Sequence, residues 1–360
     1  PVPGSVDQVD GNVNVKERQT GTINLGIGYG QTDGVILSAG ISEKNVFGSG
    51  TGLDFSVNTS QDSRTFVLSH TDPYWTLDGI SRTTSAYYRT VTPSLGNSGN
   101  YEVKSAGGGL NFGVPISEFD RVFLGANFEH NTIALYADSP LAYEQYVEDY
   151  GDSTNTPLLT AGWSKDTRDS ALIPTKGALT RLNATVGTIS LKYYMLSAQH
   201  QHFFPIGRDY TLAFNALFDY GDVYSSDYPF PVIKNVYAGG IGTVRGYEGN
   251  SLGPRDPRTG TFLGGSRRVV GNVQFYFPVP GSGRDKSLRL FVFGDAGQVY
   301  GTGAGNLSDT VDFGDLRYST GVGMAWLSPI GPLQLVYAKP LNAKDGDQTQ
   351  VFQFQVGTTF

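Results

Sequence analysis

Four histidines, His70, His130, His200 and His202, are the imidazoles of this chain, and cysteine is absent. Without cysteine there is no disulfide, no thiol nucleophile and no thiolate metal site. None of the histidines stands beside a serine in a nucleophile motif, as an outer-membrane phospholipase would require. His200 and His202 share one face of a predicted strand, but no third metal ligand accompanies them. Asp345-Gly346-Asp347 offers two carboxylates in a turn, fewer than a calcium loop provides. Gly26-Ile27-Gly28-Tyr29-Gly30 and Gly107-Gly108-Gly109 are glycine-rich, yet no helix follows to complete a phosphate cradle. These residues predict no catalysis, no metal and no cofactor.

The chemistry that remains is the docking of a charge. Val244-Arg245-Gly246-Tyr247 lies within a long connection, residues 222–266, preceded by Tyr237-Ala238-Gly239-Gly240. Connections beyond about 12–15 residues without regular structure are functional or disordered. This one carries Val236, Tyr237, Ile241, Val244, Tyr247 and Leu252, too apolar for a solvated linker. The expectation is a loop folded back into a β-barrel, with Arg245 docked on the inner wall.

The elements that must position it read as strands. In Thr22-Ile23-Asn24-Leu25-Gly26-Ile27-Gly28-Tyr29, the residues Ile23, Leu25, Ile27 and Tyr29 share one face, and small or polar residues share the other. Similar stretches recur near 34–43, 51–59, 64–72, 80–91, 100–114, 120–135, 157–165, 177–189, 191–204, 209–221, 267–278, 287–299, 316–328, 331–340 and 350–360, about sixteen in all. No run approaches 18 apolar residues, which excludes a membrane helix; alternating strands of about 9–11 residues cross a bilayer without one. Connections after even-numbered stretches include short turns at Pro115 to Asp120, Pro205 to Asp209, Pro278 to Arg284 and Ser328 to Gly331. Those after odd-numbered stretches include 136–156, 222–266, 300–315 and 341–349. Outer-membrane barrels have this asymmetry, with short periplasmic turns and long outer loops. The predicted fold is therefore all-β, a transmembrane antiparallel β-barrel of about sixteen strands over residues 20–360, both termini periplasmic. Residues 1–19 are expected to be the end of an upstream domain and a hinge. Ser139 and Pro140 predict the start of a short loop helix. Tyr74, Trp75, Tyr87, Tyr88, Trp163 and Trp326 are candidates for an interfacial aromatic belt.

The last stretch, Gln350 to Phe360, alternates Phe352, Phe354, Val356 and Phe360 with Gln353, Gln355, Gly357 and Thr359, giving one lipid-ready face. Gly357 weakens that strand and permits a kink, and Gly26, Gly28 and Gly30 weaken the first. In Leu288 to Asp295, Arg289, Phe291, Phe293 and Asp295 share a face; its charges assign that face to the lumen.

Together, Val244-Arg245-Gly246-Tyr247, Tyr237-Ala238-Gly239-Gly240, Phe293-Gly294-Asp295-Ala296-Gly297 and the terminal Phe360 strand resemble the barrel domain of the BamA family, outer-membrane insertases of Gram-negative bacteria. The resemblance covers nearly the whole chain. Asp7-Gln8-Val9-Asp10 and Lys16-Glu17-Arg18 look like the end of the family's last polypeptide-transport-associated domain. The resemblance implies that Val244, Arg245, Gly246 and Tyr247 lock the loop in the lumen, with Phe293 beside them and Asp295 as the partner of Arg245. Gln274 stands where some members carry a second acid. It implies a weak lateral seam between Ile23, Leu25, Ile27 and Tyr29 on the first strand and Phe352, Phe354, Val356, Gly357 and Phe360 on the last. Implied partners are nascent outer-membrane β-barrel proteins, assembly lipoproteins bound mainly upstream, and outer-membrane lipid and lipopolysaccharide. A net charge of −7 argues against nucleic acid. The rival readings are a two-partner secretion transporter, which shares the arginine motif, and a passive porin.

Overall fold

The computed structural model describes residues 19–92, 101–225, 228–281, 287–301, 311–329 and 331–357. Sixteen strands close into one antiparallel barrel. In chain order they are β1 (Gly21–Gly30), β2 (Gly34–Glu43), β3 (Gly52–Thr59), β4 (Ser63–Asp72), β5 (Ser81–Val91), β6 (Tyr101–Pro115), β7 (Asp120–Leu135), β8 (Ser153–Asp166), β9 (Gly177–Gly187), β10 (Tyr193–Ile206), β11 (Tyr210–Val223), β12 (Arg267–Pro278), β13 (Leu288–Tyr300), β14 (Arg317–Ser328), β15 (Gly331–Pro340) and β16 (Phe352–Val356). Each strand pairs with its sequence neighbours, and β16 closes onto β1. The upstream-domain expectation for residues 1–19 falls almost wholly outside the described residues, and so does Phe360.

The period-two pattern builds the wall because alternate side chains point to opposite faces. On β1, Ile23, Leu25 and Ile27 are 74%, 82% and 71% exposed on the outer face, where a bilayer would cover them. On β13, Arg289, Phe291, Phe293 and Asp295 are buried toward the lumen while Val292 faces outward. The same alternation corrects one member of the aromatic belt. Tyr87 points inward, and its hydroxyl donates to Glu129 at 2.6 Å. His200 and His202 sit side by side on the outer face of β10, with ring centroids 5.9 Å apart. Among the described residues no three metal-ligating side chains cluster.

The lumen is partly occupied by the chain itself. Residues 228–266 fold inward and pack in clusters against the wall: Val244, Tyr247 and Leu252 against Val270 and Val299, and Val232 and Leu263 against Tyr101, Val103 and Ile133. Burying each large apolar side chain contributes about 1.5–3 kcal/mol. The loop after β7 forms helix α1 (Leu141–Tyr150), whose Tyr143 and Tyr146 are buried. Its N-cap is Pro140 and no side chain of that residue caps it. Ser139 therefore does not have the expected role; its hydroxyl accepts from the Tyr136 N–H. The cap comes from the lumen loop, where the Asp256 carboxylate accepts from the Leu141 N–H at 2.5 Å. Burial alone would raise the Asp256 carboxyl, but the N–H groups of Thr259, Leu141 and Arg258 outweigh it and hold the group below its usual value. Replacing Asp256 with alanine is expected to cost α1 about 1 kcal/mol. Amide exchange across residues 141–150 then quickens about fivefold; unchanged exchange would show that α1 does not depend on this cap.

Candidate functional site

Arg245 and Asp295 form the centre of the lumen. The Arg245 side chain is 2% exposed and that of Asp295 is 0% exposed. The Arg245 Nε donates to Asp295 Oδ2 at 2.7 Å and Nη2 to Oδ1 at 2.5 Å. The Arg245 backbone N–H adds a third bond to Oδ2 at 3.0 Å. A planar guanidinium meeting a carboxylate bidentately is the strong form of such a pair. Phe293 lies beneath it, its ring centroid 3.7 Å from the Arg245 Cζ. The strand period that puts Asp295 inside also puts Phe293 two residues away on the same face, so one stretch supplies both contacts.

Glycine makes the approach possible at two places. Gly246 has φ +88, a left-handed conformation that turns the chain directly after Arg245. At Gly297 a Cβ would lie 2.7 Å from Val244 Cγ2, so a larger residue there would displace the motif.

The residue facing Asp295 from the preceding strand is Asn272, not Gln274. Asn272 is in register with Asp295, and its Nδ2 donates to Asp295 Oδ1 at 2.8 Å and to the Thr243 carbonyl at 2.6 Å. Gln274 is paired with Phe293 instead, and its Oε1 accepts from the Tyr276 hydroxyl. A neutral amide thus completes the clamp without a second charge. Strand alternation puts Asn272 and Gln274 on the same face, and the register across the hairpin chooses between them.

Further anchors escaped the sequence reading because each joins positions far apart in the chain. Lys234 pairs with Glu129 on β7. Arg268 on β12 bridges Asp219 on β11 and the Tyr237 carbonyl of the loop. Arg255 of the loop and Arg317 on β14 both engage Asp347. That removes Asp347 as a simple cation ligand, so the Asp345-Gly346-Asp347 turn is an arginine clamp.

The seam is uneven. β1 forms ten registered pairs with β2, from Gly21↔Glu43 to Gly30↔Gly34. With β16 it forms two among the described residues, Tyr29↔Val356 and Gly30↔Gln355. β16 forms five with β15 on its other side. On the outer face Tyr29 stacks on Phe354, with centroids 5.1 Å apart. Gln31 extends the join by side chain: its Oε1 accepts from the Phe354 N–H at 3.0 Å and its Nε2 donates to the Phe352 carbonyl at 3.3 Å. At Gly357 the backbone turns to φ +85, and its N–H bonds the Pro332 carbonyl of β15. Among the described residues the last strand of the barrel runs Phe352–Val356, and before it Thr349 and Gln350 pair with Tyr247 and Gly246 of the loop motif; residues 358–360 of the expected strand lie outside the described residues. Substituting Gln31 with leucine is expected to cost the seam about 1 kcal/mol, read as faster exchange of the Phe354 amide. An unchanged rate would mean the Gln31 amide holds nothing.

A closed sixteen-stranded barrel plugged by an inward loop whose buried arginine pairs with the wall defines the class. The Omp85 superfamily domain matches residues 45–360, and the chain belongs to that superfamily. It is an outer-membrane β-barrel of the BamA type. It is 34% identical over its full length to the outer membrane protein assembly factor BamA of Neisseria meningitidis serogroup B, covering 49% of that protein. The crystal structure of BamA from Haemophilus ducreyi lacking POTRA domains 1–3 superposes with a TM-score of 0.87 at 29% identity, over 96% of this chain and 71% of that one. CdiB from Acinetobacter baumannii shares the fold, with a TM-score of 0.59 at 16% identity over 94% of this chain and 60% of that one. The chain spans about half the length of the meningococcal relative it matches.

Proposed function

We propose that this barrel catalyses the folding and insertion of other β-barrel proteins into the bacterial outer membrane. The observation that carries this is the asymmetry of β1: ten registered pairs on one edge and two on the other among the described residues. A strand so weakly held on one side can exchange its partner, and an exposed edge templates an incoming strand through backbone hydrogen bonds. Ile23, Leu25 and Ile27 already present the apolar face that a lipid-embedded hybrid sheet needs. The barrel makes and breaks no covalent bond; client folding drives the reaction.

The short turns then face the periplasm, with both ends of the chain on that side. The partners are nascent outer-membrane β-barrel proteins, lipoproteins of the assembly machine engaging upstream periplasmic domains, and outer-membrane lipid and lipopolysaccharide. Local thinning of the bilayer beside the seam lowers the insertion barrier. A secretion transporter or a porin works through the lumen, which Val244, Arg245, Tyr247 and Leu252 narrow here, so either reading would need this loop to move.

The test uses the full-length protein in liposomes with an unfolded client barrel. Client folding well above the rate in protein-free liposomes is expected. Ion conduction without accelerated folding would favour a pore.

A further inference from the structure

The loop motif and the seam are joined by one side chain. Gln353 is a lumen-facing residue near the start of β16, and it is 2% exposed. Its Nε2 donates to the Tyr247 carbonyl at 2.7 Å, and its Oε1 accepts from the Gly246 N–H at 3.2 Å. The amide therefore meets both hydrogen-bonding groups of the backbone just past Arg245, as a neighbouring strand would. The join continues along the chain, with Gly246↔Gln350 and Tyr247↔Thr349 in register and the Glu248 N–H on the Gln348 carbonyl at 3.0 Å. Gly246 permits this close approach, since a Cβ there would lie 3.3 Å from Ala338 Cβ and from Pro340 Cδ on β15.

We infer that Gln353 makes docking of the Arg245 loop and closure of the β1–β16 seam a single linked equilibrium, so that the lumen lock regulates the lateral gate. The inference rests on the insertase reading for its purpose. It stands on geometry for its existence.

The physical case is a comparison of holds. Of the described contacts that fix β16 at the seam, the β1 side supplies two registered pairs, the Gln31 amide and one ring stack. The loop side supplies two hydrogen bonds from a buried amide and a two-residue ladder. With the loop docked, Arg245–Asp295 fixes Gly246 and Tyr247, and these fix Gln353 and the entry to β16. If the loop leaves, the Gln353 amide loses both backbone partners and is left with a 3.5 Å contact to Gln350 Oε1, and the described ladders that still hold β16 are five pairs with β15 and two with β1. Water can reach the Gln353 amide once the loop has left, so what is lost is the tie itself: β16 is held by fewer bonds and the β1 edge opens more readily. Linkage makes the relation reciprocal: a client strand that displaces β16 from β1 weakens loop docking by the same factor. Gln353 is thus a positioning residue, acting through β16 on the edge that meets the client.

The test reads the seam directly. Spin labels go on Leu37→Cys of β2 and Tyr337→Cys of β15, both exposed outward at 51% and 61% and outside the seam contacts. The host is the full-length protein, in lipid nanodiscs. Pulsed distance measurement then gives open and closed seam populations without any client. Gln353→Met, similar in length but without hydrogen-bonding groups, and Arg245→Ala are each expected to raise the open-to-closed ratio about tenfold. In the double variant, Arg245→Ala is expected to add at most about twofold, since the tie is already cut. Retained heat-modifiable mobility establishes that each barrel is folded, and Arg245→Lys replaces Arg245→Ala if the latter is not. An unchanged ratio in Gln353→Met, or effects that multiply fully in the double variant, would overturn the linkage. Client folding measured on the same samples separates the two readings. Coupled seam populations without accelerated client folding would remove the insertase and leave the coupling. Accelerated folding with uncoupled populations would do the reverse.

Discussion

Replacing Arg245 with alanine is expected to undock the lumen loop while leaving the ladders of the barrel wall outside the β1–β16 seam intact. The substitution leaves the Asp295 carboxylate, 0% exposed, with the Asn272 amide but no cation. Removing one partner of a buried ion pair costs about 3–5 kcal/mol, because the other charge stays desolvated. It also empties the space above Phe293, which the guanidinium fills at 3.7 Å. Trypsin access to residues 224–266 should therefore rise by about two orders of magnitude or more, following the population of the undocked loop. Arg245→Lys should rescue little, since an ammonium cannot make the bidentate contact or cover the ring. A second expectation separates charge from shape. Arg245→Met combined with Asp295→Leu should be less damaging than either change alone, because no unpaired charge remains. Unaltered cleavage of the alanine variant would mean that the other anchors, Lys234–Glu129 and Arg255–Asp347 among them, hold the loop unaided.

Replacing Gly357 with valine is expected to push the end of β16 off β1. Gly357 has φ +85, a conformation that a β-branched residue adopts only as an outlier. A Cβ there would lie 3.0 Å from Gly28 Cα and 3.4 Å from the Ile27 carbonyl. The Gly28 side is equally close, with a Cβ 2.9 Å from the Val356 carbonyl. Backbone rests on backbone here, so neither residue can yield by rotating a side chain. The left-handed conformation alone costs about 1–2 kcal/mol for a residue with a Cβ, and the clash adds to it. The seam has two registered pairs to set against this, one of them made by Val356. Disulfide formation between Tyr29→Cys and Val356→Cys should fall several-fold in the Gly357→Val background, with Gly357→Ala between valine and wild type. A yield equal to that of the parent pair would show that the turn at Gly357 is not what seats β16.

The barrel was legible because its signal is local. Thr22 to Tyr29 alternates cleanly, and the alternation of short turns and long connections follows from chain length alone. The inward face of β13 was legible for the same reason, since Arg289 and Asp295 have no place in lipid. The Arg245 motif stood out because an apolar, glycine-bearing stretch of that length needs something to pack against. What escaped was whatever two distant stretches decide together. Asn272 rather than Gln274 faces Asp295, a matter of a two-residue shift of register across a hairpin. Asp256 caps a helix from another loop, and nothing near Ser139 or Pro140 announces it. Tyr87 was assigned outward from its type, although its neighbour Tyr88 has the outer face and period two allows only one of them there. Gln353 read as a polar lumen residue, and only its contact with Gly246 and Tyr247 reveals it as the join between loop and seam.

The measurement that tests the central claim most directly exploits the absence of cysteine from the chain. Tyr29→Cys and Val356→Cys place one thiol on each side of the seam at a registered pair. The full-length variant is reconstituted in liposomes, and client barrel folding is followed with the pair oxidised and then reduced. Folding is predicted to fall to the protein-free rate when the crosslink is complete and to recover on reduction, because β1 cannot accept a client strand while β16 is bound to it. Undiminished client folding with the crosslink verified in the same sample would contradict a seam that must open.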